Sequence, residues 1–293
     1  MTKSGTKTTL KPPLPGILAF FMVLLTMPLG HAAMIMMEKF FGEQHVIVAA
    51  LILGFLGFFL LIWGNLSHKE TRATFLGLFA GLFIWTGWIE FAYVYYANRF
   101  GVEPLVVNGE VVTKPEYLIL PSSIGFWAIL MIYYFFGTRT GCKLFTWMQK
   151  VLKLSKKLKF KPAVRNVAMT TFMELTALLW TFYLVLLILY DERFFGDHHA
   201  MTYVVAFGCL LWSLFLFIRL LKIAKLAYAI RYAIPTVIIF WNFVEILARW
   251  NVFKEIWVEP LQYWLEMLIT LMVFIILMLV LAFEKKKTKV TSF

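Results

Sequence analysis

Cysteine and charge are both scarce in this sequence, and their scarcity excludes several classes of protein. Only Cys142 and Cys209 are present among 293 residues, too few for a disulfide framework or a multi-cysteine metal cluster. Charged residues make up only 15% of the chain, and 16 of them are acidic. A glycine-rich phosphate loop and an HExxH zinc motif are also missing from the sequence. The lack of any soluble catalytic signature favours a function that is not enzymatic.

Apolar residues dominate what is present. They make up 61% of the chain, and the mean hydropathy is +0.80, which is too apolar for a water-soluble domain. A helix needs about 20 apolar residues to cross a bilayer. The sequence predicts an all-α integral membrane protein with eight transmembrane helices, at Leu14–Met37, Val46–Leu66, Ala73–Ala97, Leu118–Gly137, Asn166–Tyr190, Ala200–Ile218, Leu226–Ala248 and Gln262–Phe283.

Basic residues are distributed unequally between the two sides of these spans. Eight crossings place both termini on one side, and that side carries 22 of the 28 Lys and Arg residues. Acidic residues concentrate in the opposite loops. Because cytoplasmic segments are enriched in Lys and Arg, we expect both the N- and C-termini to be cytoplasmic, as in a multi-pass inner-membrane protein. The net charge of +12 is then a sign of topology, not of nucleic-acid binding.

The sequence contains an internal repeat. The segment 38–45, EKFFGEQH, recurs 154 positions later as ERFFGDHH at 192–199. Gly54 matches Gly208 at the same offset, Glu90 matches Glu245 at an offset of 155, and 102–105 matches 258–261 at 156. The matches predict two tandem four-helix repeats in parallel orientation. The first repeat carries an extra hairpin-like segment, Val106–Lys114, with an Asn108-Gly109 turn.

The repeat predicts a division of the chain into three parts. Residues 1–138 form the first four-helix repeat, 139–165 a linker, and 166–293 the second repeat. The linker contains nine basic residues and no acidic one, with apolar residues at steps of three and four. This pattern predicts an amphipathic helix on the cytoplasmic surface that binds anionic lipid.

Carboxylates within the spans are the leading candidates for functional groups. Ionisable residues in a membrane segment are costly, and a carboxylate removed from water takes up a proton more readily. Glu90 and Glu245 occupy matching positions in the repeats, so we expect them to couple to protons or bind a cation, with Glu174 as an inner relay. In the alternative, each acid joins helices by pairing with Arg99 or Arg249, or with tryptophans such as Trp85, Trp88 and Trp241.

A second cluster of polar residues lies at the turns after the first and fifth spans. Carboxylate and imidazole groups are common ligands of divalent metals. In the alternative, these residues cap and solubilise the turns, with Gly42 and Gly196 closing the preceding helices and Asp197 capping the sixth helix. The candidate metal ligands are Glu38, Glu43 and His45 in the first repeat, and Glu192, Asp197, His198 and His199 in the second.

One face of the first helix suggests a copper site. Met27, His31 and Met34 share that face, and thioether and imidazole ligands suit copper. Methionine is also common packing material in apolar helices. A divalent metal or copper at the extracytoplasmic face is therefore the cofactor that the sequence allows.

Three functions of different class compete on this evidence. The leading interpretation is a transporter or permease for a small solute or ion, with carboxylates that respond to ions or protons at the interface of the repeats. The alternatives are a metal-binding subunit of a membrane redox enzyme and a structural subunit that packs against partner subunits in the membrane. The substrate, the direction of transport and the oligomeric state do not follow from the sequence.

Overall fold

The fold of the described chain is helical throughout, apart from one hairpin. The computed structural model describes residues 11–107, 110–136, 146, 149–153 and 166–282. Within these residues, eight helices are long and apolar enough to cross a membrane, which confirms the predicted number of spans. They are α1 (Leu14–Gly42), α2 (His45–Asn65), α3 (Glu70–Arg99), α4 (Pro115–Phe136), α5 (Val167–Tyr190), α6 (Ala200–Leu220), α7 (Leu226–Arg249) and α8 (Trp264–Leu281).

Glycines in the left-handed region mark the two turns that the sequence matches to each other. The backbone from Leu14 to Asn65 is helical except at Gly42, where φ is 61° and ψ is 175°. Gly196, after α5, has a φ of 96°. Only glycine adopts such angles without steric cost. Gly42 ends the first span as predicted, whereas α5 already ends at Tyr190 with Asp191 as its cap, and Gly196 lies in the turn that follows.

The extra segment in the first half of the chain is an antiparallel hairpin. Strand β1 (Leu105–Val107) pairs with β2 (Glu110–Thr113), and the predicted Asn108-Gly109 turn lies outside the described residues. Most of the predicted linker, 139–165, also lies outside them. In the part that is described, the Gln149 side chain donates a hydrogen bond to the carbonyl of Phe135, at 2.8 Å.

Contacts divide the chain into two compact units. The central unit is Phe40–Thr202, and the terminal unit joins Met1–Lys39 to Tyr203–Phe293. The central unit contains helices α2 to α5. The terminal unit contains most of α1, most of α6, and all of α7 and α8. Each unit therefore combines the first helix of one predicted repeat with the remaining three helices of the other.

Small residues let the helices of the central unit approach closely. A Cβ on Gly77 of α3 would lie 2.4 Å from the carbonyl oxygen of Ala168 in α5. Where α2 crosses α3, a Cβ on Gly87 would lie 2.5 Å from the carbonyl oxygen of Ala50. Because apolar helices gain little from hydrophobic burial in lipid, close packing of this kind is a main source of their association.

The terminal unit packs around α7. Its apolar residues Ile230, Ile234, Val237 and Ile246 are fully buried. Phe20 of α1 lies 4.7 Å from Phe217 of α6 and 6.0 Å from Phe240 of α7, measured between ring centroids. A kinking Pro235 is accommodated within α7, which runs from Leu226 to Arg249.

Apolar side chains also cover the outside of several helices. On α4 and α8 many large residues are exposed, such as Phe126, Ile129, Leu268 and Ile276. A surface of this kind suits hydrocarbon, so the length and composition of the eight helices indicate a multi-pass membrane protein.

Candidate functional site: one carboxylate centre in each unit

The carboxylate of Glu90 is placed by a π-helical turn in α3. Residues Trp85–Glu90 form this turn, within a helix that is otherwise α-helical. A π turn carries one residue more than an α turn and is frequently found at functional sites. It places Trp85 and Glu90, which are five residues apart, on the same face of α3.

Glu90 is buried and bonded to a tyrosine of α5. Its side chain is 5% exposed, and the Tyr183 hydroxyl donates a hydrogen bond to Oε1 at 3.0 Å. The Tyr183 ring lies 5.5 Å from Trp85 and 5.9 Å from Tyr117. We call Glu90, Trp85, Tyr117 and Tyr183 the central centre. From the sequence, Arg99 and tryptophans were candidate partners of Glu90. Tyr183 was not a candidate, because a tyrosine in an apolar span does not stand out.

Trp85 brings an unsatisfied donor to the central centre. Its side chain is 3% exposed, and its Nε1–H has no acceptor among the described residues. The neighbouring indole of Trp180, by contrast, donates to Ser123 Oγ at 2.8 Å. Buried donors nearly always bond a protein group, an ordered water or a ligand. The Trp85 donor is therefore suited to bind a small hydrogen-bond acceptor beside Glu90.

Glu245 of α7 forms the second centre, together with an imidazole from α1. The Trp241 indole, one helical turn earlier, donates a hydrogen bond to Glu245 Oε1, as the sequence considered. His31 Nε2 lies 3.7 Å from the same oxygen, and the His31 ring stacks near Trp241 at a centroid distance of 6.3 Å. We call Glu245, Trp241 and His31 the terminal centre.

The backbone holds one ring nitrogen of His31, and the other ring nitrogen faces Glu245. His31 Nδ1 lies 3.0 Å from the carbonyl oxygen of Met27, and a carbonyl accepts only, so Nδ1 carries a proton. Nε2 then faces Glu245 Oε1 either as a second N–H or as a lone pair. At 3.7 Å this contact is longer than a hydrogen bond, and a proton on either group would make it attractive.

The loop after α7 adds a third titratable group beside the terminal centre. Glu255 Oε2 accepts a hydrogen bond from Trp257 Nε1 at 3.1 Å, and the Trp257 and Trp241 rings lie 5.0 Å apart. Burial raises the pKa of Glu255, the charge of Glu245 raises it further, and His31, the Trp257 hydrogen bond and Arg249 lower it. Glu255 does not stand out in the sequence, since it lies in a loop rather than in a span.

Glu174 lies apart from the Tyr183 end of α5. It is nine residues before Tyr183, or about 13 Å along a helix axis, and it interacts electrostatically with Tyr134 of α4. Its predicted role as an inner relay stays a prediction.

The predicted metal cluster is arranged as a capped turn where the structure describes it. His199 Nδ1 accepts the backbone N–H of Met201 at 3.1 Å and so caps α6, the role that the sequence considered for Asp197. Asp191 Oδ1 accepts the N–H of Arg193 at 2.9 Å. Among the described side chains, no three His, Cys, Asp or Glu groups are placed to hold a metal ion.

The other candidate metal ligands differ in whether the structure describes their side chains. The side chain of Glu43 lies outside the described residues, while Glu38, His45, Glu192 and His198 are described. On the predicted copper face, Met27 and Met34 are buried, and His31 directs its two ring nitrogens to protein oxygens. Metal binding at either place stays a prediction.

Comparison of the chain with protein-family models, with curated proteins and with solved structures found no match. The functional argument therefore rests on the two carboxylate centres.

Proposed function

We propose that the protein is a multi-pass membrane transporter or permease for a small solute or ion, in which Glu245 and Glu90 respond to protons. The His31–Glu245 pair carries the proposal. Its two groups face each other at 3.7 Å, while the Met27 carbonyl lies at His31 Nδ1 and the Trp241 indole donates to Glu245 Oε1. In the proposal, His31 and Glu245 share one proton. A pair of this kind in a membrane helix is typical of proton relays in transporters.

Protonation changes the energy of the pair enough to drive a structural response. With one shared proton the pair is neutral overall, either as imidazolium and carboxylate or as two uncharged groups. Loss of this proton leaves the Glu245 carboxylate with the Trp241 indole as a donor but without a positive charge on His31, which is unfavourable among apolar helices. The terminal unit then lowers its free energy by hydrating Glu245 or by separating α1 from α7, and either change couples proton transfer to movement.

The arrangement of the two centres supports the proposed duplication. Each centre pairs a carboxylate and a tryptophan on the third helix of one repeat with a ring on the first helix of the other. The Trp–Glu spacing is five residues in α3 and four in α7, and the additional residue coincides with the π turn. Insertion of one residue into an α-helix is a common origin of such turns.

The proposal includes a topology and a membrane surface. Both termini lie in the cytoplasm with the basic residues, and the hairpin and the loop that contains Glu255 lie on the opposite side. The basic linker binds anionic lipid at the cytoplasmic surface. These statements rest on the distribution of charge in the sequence.

Proton flux through the reconstituted protein tests the proposal. The full chain is placed in liposomes that contain a pH-sensitive dye, and a potassium diffusion potential drives proton entry. We expect the protein to accelerate acidification over protein-free liposomes, and Glu245→Gln to reduce this rate by about 100-fold, the scale of a lost proton-transfer group. Glu266→Gln is the matched control, because Glu266 is an exposed carboxylate near the start of α8.

Two results would overturn the proposal. The first is acidification at the rate of protein-free liposomes, at both signs of the potential and with a panel of small cations, anions and neutral solutes. The second is an unchanged rate in both Glu245→Gln and Glu90→Gln. Elution profile and thermal unfolding in detergent establish that each variant is folded.

A structural role for Glu90 is the second candidate, and one observation favours it. The Tyr183 hydroxyl already satisfies Glu90 by an interhelical hydrogen bond, and such bonds also serve to join membrane helices. If Glu90→Gln retains flux but loses thermal stability, Glu90 is an interhelical tie, and proton exchange belongs to Glu245 alone.

A further inference from the structure

Glu255 is the charged group of the α7–α8 loop that lies beside the terminal centre. Trp257 holds its carboxylate through the 3.1 Å hydrogen bond, and the Trp257 ring packs on Trp241, which in turn bonds Glu245. Trp257 is itself buried, at 8% exposure. Two adjacent indoles, tilted by 50° to each other, therefore bond two carboxylates, one from the loop and one from the span.

Charges from two helices act on this loop carboxylate. Glu245 of α7, His31 of α1 and Arg249 at the end of α7 all interact electrostatically with Glu255. A half-buried group in a loop exchanges protons with water, whereas Glu245 lies within α7, one turn before its end at Arg249. The three groups Glu255, Glu245 and His31 thus form a short series from the loop into the helices.

We infer that Glu255 is the proton-entry residue of the terminal centre, which passes protons between bulk water and the His31–Glu245 pair. The inference rests on the proposed function, since it assigns the route by which that pair is loaded. In the inward step, the O–H bond of neutral Glu255 breaks, and its proton adds to Glu245 or to His31 Nε2. Glu255 becomes a carboxylate and regains a proton from solvent, so the transfer balances without a redox partner.

The charges around Glu255 suit a group that repeatedly takes up and releases a proton. The pKa of Glu255 is raised chiefly by burial and further by the charge of Glu245, which moves it from the ordinary carboxylate range towards neutrality. When Glu245 takes up a proton, its charge no longer raises the pKa of Glu255. Glu255 then holds its next proton less tightly, so each proton transfer changes the proton affinity of Glu255.

Flux measurements on matched variants test the inference. In the same dye-loaded liposomes, we expect Glu255→Gln to slow proton entry by about 100-fold and Glu255→Asp to restore part of it. Glu259→Gln is the control, because Glu259 is an exposed carboxylate of the same loop. Wild-type flux and pH profile in Glu255→Gln, together with loss of flux in Glu245→Gln, would overturn the entry role and leave the proposed function intact.

A second measurement does not depend on transport. Infrared titration of the carboxyl C=O band, taken as the difference from the Glu255→Gln background, reports the pKa of Glu255 in the full chain. We expect Glu245→Gln to lower this pKa and His31→Gln to raise it, because each removes one of the charges that act on Glu255. An identical titration in wild type and Glu245→Gln would overturn the coupling, whatever the flux shows.

Discussion

A single side chain, His31, makes the two carboxylate centres chemically different. In the terminal centre the group that faces Glu245 is an imidazole, which can both donate and accept a hydrogen bond. In the central centre it is the Tyr183 hydroxyl, which donates a hydrogen bond to Glu90. If the proposed proton exchange takes place, we expect it to depend more on Glu245 than on Glu90.

Replacement of Trp257 by phenylalanine tests the indole hydrogen bond to Glu255. The Nε1–H stabilises the charged carboxylate and thereby lowers the pKa of Glu255. We expect Trp257→Phe to raise that pKa further, as measured by infrared titration. Trp264→Phe is the control, since Trp264 is exposed at the start of α8, and an equal shift in both variants would contradict the assigned bond.

The raised pKa of Glu255 also predicts how stability depends on pH. The folded protein binds this proton more tightly than the unfolded chain, whose carboxylate titrates near the ordinary value of 4.5. The free energy of unfolding therefore falls as pH rises through the window between these two pKa values. Because glutamine does not titrate, Glu255→Gln removes this fall in the free energy of unfolding.

Thermal unfolding in detergent at a series of pH values measures the effect. We expect the midpoint of Glu255→Gln, relative to wild type, to increase as pH rises above about 4.5 and to level off above the raised pKa. Glu259→Gln should track the wild type throughout. A constant offset across the series would show that burial does not change the proton affinity of Glu255.

At the scale of one element, the π turn of α3 is the feature that shapes the central centre. It brings Trp85 and Glu90 to one face of α3 and carries Gly87, at which α2 approaches the α3 backbone. The π turn therefore both directs Glu90 and provides the glycine at which α2 and α3 make close contact.

Gly87→Ala tests the close contact directly. The new Cβ would lie 2.5 Å from the Ala50 carbonyl oxygen, and a backbone atom has little freedom to move aside. We expect a loss of about 1–3 kcal/mol of stability, as for other overpacked sites, measured by thermal or denaturant unfolding in detergent. Gly125→Ala is the control, because nothing lies within 4 Å of a Cβ at Gly125. Equal stability of the two variants would contradict the packing of α2 on α3.

At the scale of the whole molecule, eight apolar helices and the distribution of Lys and Arg together predict the topology. Single cysteines are introduced at Val111, Lys222 and Phe253 in a Cys142→Ser, Cys209→Ala background and treated with a membrane-impermeant maleimide on intact cells. We expect labelling at 111 and 253 and protection at 222, because only 222 belongs to the basic side. Labelling at 222 in intact cells would reverse the proposed orientation.

The helices of the chain were largely predictable from its sequence, whereas of the partners of its carboxylates only Trp241 was. Span ends agree within a few residues, since a run of apolar residues of bilayer length has few alternatives to a helix. Glu90 and Glu245 were found because charge within such a run is rare. Tyr183 and Glu255 were missed, because a tyrosine in a span and a carboxylate in a loop are both common.

Sequence alone determined which segments form membrane helices and which carboxylates lie within them, because both depend on the local cost of placing polar groups in hydrocarbon. Tertiary structure decided the assignment of helices to units, with α1 beside α7 and α5 beside α3. It also decided that His31 faces Glu245 and that Tyr183 faces Glu90. These choices depend on contacts between residues more than 90 positions apart, such as Tyr183 and Glu90, for which hydrophobic periodicity carries no information.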